Sequence, residues 1–230
     1  MSIDAIILAG GMGTRLRGVV TDRPKVLAPV KERPFLTRLL DQLAAARIES
    51  VVLSTGFMAD QIESVIGKTY GGMCIHYSRE QEALGTAGGL RLALSKTASD
   101  PVFALNGDSF CAVDLNQFYE FHCARKACAT ILLTHVEDAS RFGRVEIDNE
   151  GAVRNFEEKG GATSPGWINA GVYCMARSVI EDFPAGKALS IERDVFPKLI
   201  GLGLWAFRGG GAFIDIGTPQ SYGEAQHFFE

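Results

Sequence analysis

The run Gly10-Gly11-Met12-Gly13-Thr14-Arg15-Leu16 sets glycines and one fixed cation directly after the apolar stretch Ala5-Ile6-Ile7-Leu8-Ala9. Glycine behind a buried strand lets the main chain approach a ligand closely, and its free N–H groups can cradle phosphate oxygens. Lys25, in Arg23-Pro24-Lys25, adds a second cation ten residues beyond Arg15. Arginine grips phosphate oxygens bidentately, while lysine acts as a compact point charge. Two familiar phosphate loops do not fit. A Walker A loop closes on Gly-Lys-Ser/Thr, whereas Gly13 is followed by Thr14-Arg15. A dinucleotide fingerprint on Gly11 and Gly13 needs Gly or Ala where Leu16 stands, and Pro24 and Pro29 interrupt its helix. Read alone, the loop is equally a tight turn beside two solvated bases.

Two carboxylates stand at comparable places. Asp108 follows a buried strand in Leu105-Asn106-Gly107-Asp108, and Asp215 closes another in Phe213-Ile214-Asp215-Ile216-Gly217-Thr218-Pro219. Mg²⁺ takes one or two carboxylates together with phosphate and water oxygens, and both positions suit that chemistry. Each also has a plainer reading. Asn-Gly-Asp is a common turn, and Asp215 between two isoleucines could be a buried acid satisfied by main-chain N–H groups.

The elements that must position these groups follow from composition and periodicity. The chain has 230 residues, 47% apolar and 22% charged, with 23 Lys plus Arg against 27 Asp plus Glu. That is an ordinary globule with a full core. The net charge of −4 and the lack of a basic cluster argue against nucleic acid. No apolar run approaches a membrane span and the start lacks a secretory leader, so a cytoplasmic protein is expected. Five scattered cysteines form no CxxC pair, and Cys123 and Cys128 near His122 and His135 read as thiols rather than zinc ligands.

The continuous apolar run at 4–9 reads as a strand buried on both faces and 101–105 as another buried strand, with further strands at 49–54, 74–77 and 129–136. Helical spacing appears at 35–47, 58–66, 86–95 and 115–126. This alternation predicts a single-domain α/β fold, a mixed but mainly parallel Rossmann-like sheet flanked by helices. Beyond residue 140, strands at 145–147, 153–156 and 168–175 read as a small β-hairpin insertion on one edge of the sheet. A helix is expected over 191–200, and Thr218 with Pro219 marks the start of a C-terminal helix.

The loop at 10–16, Pro24-Lys25, Leu84-Gly85-Thr86-Ala87-Gly88-Gly89, Leu105–Asp108, Phe156-Glu157-Glu158-Lys159 and Phe213–Pro219 occur in an order that resembles the sugar-1-phosphate nucleotidylyltransferases. The likeness spans essentially the whole chain, as one catalytic domain over 1–230 with a sugar-binding insertion at about 140–176. It implies a reaction that joins a nucleoside triphosphate to a sugar 1-phosphate and releases pyrophosphate. By the same resemblance Arg15, Lys25 and Asp108 are catalytic, and Asp108 and Asp215 hold Mg²⁺. The nucleotide falls to Leu8, Ala9, Gly10, Gly11, Gly13, Thr14, Arg15, Lys25, Glu80, Gly85, Thr86, Asn106 and Gly107. The sugar phosphate falls to Glu158, Lys159, Asn169 and Gly171.

Glu80 could accept hydrogen bonds from guanine N1–H and N2–H₂, which suits guanine better than uracil. Arg141-Phe142-Gly143-Arg144-Val145 adds a likeness to the heptose-1-phosphate guanylyltransferases, implying GTP as nucleotide and a product for bacterial surface polysaccharide. Mannose-1-phosphate guanylyltransfer and UTP-dependent transfer stand as alternatives, as does a non-catalytic nucleotide-sugar sensor. A sensor, however, need not keep Arg15, Lys25, Asp108 and Asp215 together. No nucleic-acid or membrane partner is expected, and a homodimer is left open.

Overall fold

The unbroken run Ala5-Ile6-Ile7-Leu8 forms strand β1 (Ala5–Leu8), whose successive side chains are claimed by opposite faces of a sheet. Ile6 joins one hydrophobic cluster, Ala5 and Ile7 the other. Both isoleucines are fully buried, each contributing roughly 1.5–3 kcal/mol by area removed from water. The computed structural model describes residues 3–16, 18–156 and 163–229.

In chain order, β2 (Pro29–Val30) and β3 (Arg33–Pro34) precede α1 (Phe35–Ala45). Next come β4 (Ser50–Thr55), α2 (Ala59–Ile66), β5 (Thr69–Tyr70), β6 (Met73–Arg79), α3 (Gly85–Ala93) and β7 (Val102–Asn106). The second half holds β8 (Ser109–Cys111), α4 (Leu115–Ala124), β9 (Ala129–Val136), β10 (Val145–Ile147), β11 (Val153–Phe156) and β12 (Gly166–Met175). It ends with α5 (Arg177–Glu181), α6 (Phe196–Leu199), β13 (Leu204–Phe207), β14 (Phe213–Asp215) and α7 (Pro219–Phe228).

The main sheet runs β13-β9-β12-β7-β1-β4-β6-β5. Strands β7, β1, β4 and β6 are parallel, as are β13 and β9, while β12 is antiparallel to both of its neighbours. Helices α1, α2 and α4 cover one face and α3, α5 and α6 the other. From β1 the chain steps to β4 and β6, then crosses back to β7 on the far side of β1. In open α/β sheets a crevice for ligands forms outside the carboxyl ends of the strands at such a reversal. Among the described residues no helix is long and apolar enough to cross a membrane.

Two expectations change. Strands β10 and β11 do pair as a separate hairpin, but β12 lies inside the main sheet rather than with them at an edge. Its run Ala170–Met175 is buried throughout, the pattern of a strand covered on both faces. The helix expected over 191–200 opens as a π-turn at Ile191–Val195 before α6 begins. Such turns re-aim side chains and recur at functional sites.

Candidate active site

A cleft of about 750 Å³ opens at the carboxyl ends of β1 and β7. Leu8, Gly10, Gly11, Gly13, Thr14, Arg15, Lys25, Glu80, Gly85, Thr86, Asn106 and Asp108 line it, facing Asn169, Gly171 and Asp215. Ala9 and Gly107 are buried and do not line it. Glu158 and Lys159, with Glu157 before them, lie outside the described residues.

Close main-chain approach explains the glycines. Gly107 N–H donates to the Leu8 carbonyl at 3.0 Å, and a methyl group at Gly107 would stand 2.6 Å from that oxygen. The end of β7 can therefore rest on the end of β1 only without a side chain there. Gly85 opens α3 with φ of +68°, and a methyl group on it would meet the Leu189 carbonyl oxygen at 2.5 Å. Glu80 is tied down on both oxygens: Ser54 Oγ–H donates to Oε1 at 3.2 Å and Leu84 N–H to Oε2 at 2.9 Å. Its carboxylate thus fixes the turn into α3 while still facing the cleft.

The two aspartates meet through a pairing that their own segments do not announce. Strand β14 runs antiparallel to β8 with Asp215 opposite Ser109, and Ile216 N–H donates to the Asp108 carbonyl at 2.9 Å. Lys25 Nζ donates to Asp108 Oδ2 at 2.6 Å; the lysine side chain is 10% exposed and the aspartate 42%. Asp215 is held more tightly. Gly217 N–H and Ser221 Oγ–H donate to its Oδ1 at 2.6 and 2.8 Å, and Arg141 Nη2 lies 3.3 Å from Oδ2. Ser221 and Thr218 also form the reciprocal cap of α7, so the helix start and the carboxylate share one network. Arg15 stands exposed at the mouth of the cleft with no ion pair or hydrogen bond among the described residues.

Among the described residues no cluster of three or more His, Cys, Asp or Glu could hold a metal. Two hard carboxylates, each balanced by one protein cation, nevertheless fit a divalent ion that draws its remaining oxygens from phosphate and water.

Across the cleft, Asn169 pairs with Leu133 of β9 directly before a register shift, after which the β12–β9 ladder resumes at Tyr173. Both amide hydrogens are engaged: Nδ2 donates to the Tyr173 hydroxyl at 2.9 Å and to Glu192 Oε1 at 3.1 Å, while Oδ1 accepts one bond, from Gly171 N–H at 2.9 Å. Asn106 Nδ2 lies 3.5 Å from the same hydroxyl. Burial pushes the Tyr173 phenol well above its ordinary pKa, so it stays neutral. Sequence reasoning gave no role to Arg141, Tyr173 or Glu192, which all line the cleft. The one available signal for Glu192 was an acidic residue in the first turn behind Ser190, a helix N-cap.

The chain belongs to the nucleotidyl transferase family, whose pattern matches residues 4–230. Among its relatives is the D-glycero-alpha-D-manno-heptose 1-phosphate guanylyltransferase of Aneurinibacillus thermoaerophilus, 39% identical over 97% of each chain. Another is the mannose-1-phosphate guanylyltransferase of Mycobacterium tuberculosis, 38% identical over 96% of this chain but only 62% of that longer protein. The crystal structure of HddC from Yersinia pseudotuberculosis complexed with GMP-PN superposes with a TM-score of 0.88 at 33% identity, covering 99% of this chain and all of the other.

Proposed function

We propose that the protein transfers GMP from GTP to D-glycero-alpha-D-manno-heptose 1-phosphate, giving GDP-heptose and pyrophosphate for bacterial surface polysaccharide. The observation that carries this reading is one cleft lined by a glycine loop, two cations and two paired aspartates. Relatives named for the heptose activity match nearly end to end, which supports the sugar.

A phosphate oxygen of the sugar phosphate attacks the α-phosphorus of GTP; the new O–P bond forms as the bond to the β-phosphate bridge breaks and pyrophosphate leaves. Both reactants are anions. At an effective dielectric near 20, unit charges ~4 Å apart repel by about 4 kcal/mol. The chain's task is therefore neutralisation and alignment. Asp108 and Asp215 fit Mg²⁺, which when bound neutralises phosphate charge. The glycine loop, with Gly10, Gly11, Gly13 and Thr14, offers N–H groups to the triphosphate, and Arg15 and Lys25 supply fixed positive charge. Leu8, Glu80, Gly85, Thr86 and Asn106 take the base and ribose, while Asn169 and Gly171 take the sugar side with Glu158 and Lys159.

The test is a matrix of nucleoside triphosphates against sugar 1-phosphates, read by pyrophosphate release with Mg²⁺ and again with chelator. GTP with the heptose phosphate is expected to be fastest, with no release in chelator. A preference for UTP overturns the base, equal turnover of mannose 1-phosphate overturns the sugar, and no release in any well overturns the enzyme.

A further inference from the structure

We propose that Glu192 is a specificity-determining residue of the cleft, its carboxylate accepting a hydrogen bond from a hydroxyl of the bound sugar. The inference deepens the sugar-phosphate reading above and rests on it. The starting point is Asn169, whose two amide hydrogens are already spent on Tyr173 and Glu192. Its carbonyl oxygen accepts from Gly171, so Asn169 has no donor left for a ligand. Glu192 has the complementary stock. Its carboxylate lines the cleft and takes one hydrogen bond among the described residues, at Oε1. An ionised carboxylate offers about four acceptor sites, so Oε2 is open to a hydroxyl.

The carboxylate is also held still. Ile191 N–H donates to Thr86 Oγ1 at 2.8 Å. Leu189 N–H donates to the Leu84 carbonyl and Ala87 N–H to the Leu189 carbonyl, both at 2.9 Å. These bonds strap residues 189–191 onto the start of α3, and the π-turn at Ile191–Val195 sets where Glu192 projects. Asn169 Nδ2 then fixes the side chain itself through Oε1. An acceptor fixed at both ends loses little entropy on binding, the condition under which one hydrogen bond discriminates.

The experiment combines Glu192→Ala and Glu192→Gln with a set of monodeoxy sugar 1-phosphates, reading KM and kcat for both substrates and sugar-phosphate affinity by calorimetry. Glu192→Ala is expected to weaken sugar-phosphate binding about 10- to 100-fold, the range of one hydrogen bond to a charged group. GTP KM should stay within about twofold, and Glu192→Gln should recover part of the loss through its carbonyl oxygen. One monodeoxy analogue should bind wild type as poorly as the full substrate binds Glu192→Ala, and the two losses should not add. Full additivity for every analogue, or an unchanged sugar-phosphate KM in an active Glu192→Ala enzyme, overturns the role of Glu192 alone. A wild-type protein inactive with every sugar phosphate overturns the underlying reading as well.

Discussion

The wall of the cleft made by the loop after β1, the end of β7 and the start of α3 is mostly main chain and glycine. The facing wall, from β12, β14 and the π-turn before α6, is mostly side chain. On the first wall, contacts such as Gly107 on Leu8 and Gly85 on Leu189 leave no room for a Cβ. On the second, Asn169 holds Tyr173 and Glu192, and separately Ser221 holds Asp215, through hydrogen bonds. A triphosphate presents the same repeating oxygens wherever it comes from, so N–H groups and fixed cations suffice for it. A sugar is distinguished only by which hydroxyls point where, and that needs particular side chains in fixed rotamers. The two aspartates sit on the seam and inherit the contrast, Asp108 with one lysine and Asp215 with three partners.

The contrast can be broken at its seam. Asp108→Ala is expected to lower kcat about a thousandfold or more while moving stability by about 1 kcal/mol or less, because the pair with Lys25 faces a wet cleft. Steady-state kinetics and urea melts on one preparation check this, and an active, folded Asp108→Ala protein would take Asp108 out of the chemistry. Lys25→Ala should cost about a hundredfold in kcat and little in GTP binding if Lys25 acts on charge that develops in the transition state; a pure affinity loss assigns it to the ground state.

Asp215→Ala should differ from Asp108→Ala by also destabilising the fold, by about 3 kcal/mol, since Ser221 and Gly217 lose a charged acceptor. Equal melting of the two variants would erase the proposed difference between them. The smallest effect lies outside the cleft. Burial of His122 against Thr130 lowers its pKa from 6.5 to about 4. Between those values the unfolded chain binds the proton and the folded one does not, so stability falls with acidification through that window and is flat above it. About 2 kcal/mol should be lost between pH 7 and pH 5, and His122→Gln should remove most of that slope without altering turnover at pH 7.

Much of the first wall was legible in the sequence because its cause is local. Gly10 to Arg15 closely follow the strand that positions them, and outside that wall Thr218-Pro219 is legible for the same reason, encoding its own helix start. The second wall was legible only in part. Asn169 stood out as a polar residue within an apolar strand, but its partners Tyr173 and Glu192 lie 4 and 23 positions away. The misplacement of β12 has the same origin: a continuous apolar run reveals burial on both faces but not which strands lie beside it.

By itself the sequence determined the α/β alternation, the glycine loop and the residues able to carry phosphate chemistry, since spacing and side-chain type are properties of short segments. The tertiary structure alone decided that Asp108 and Asp215 are neighbours, that β12 enters the sheet between β9 and β7, and that Glu192 reaches Asn169. Those contacts join segments tens to a hundred residues apart. Nothing within either segment specifies the other; only the shared burial of the whole sheet brings them into register.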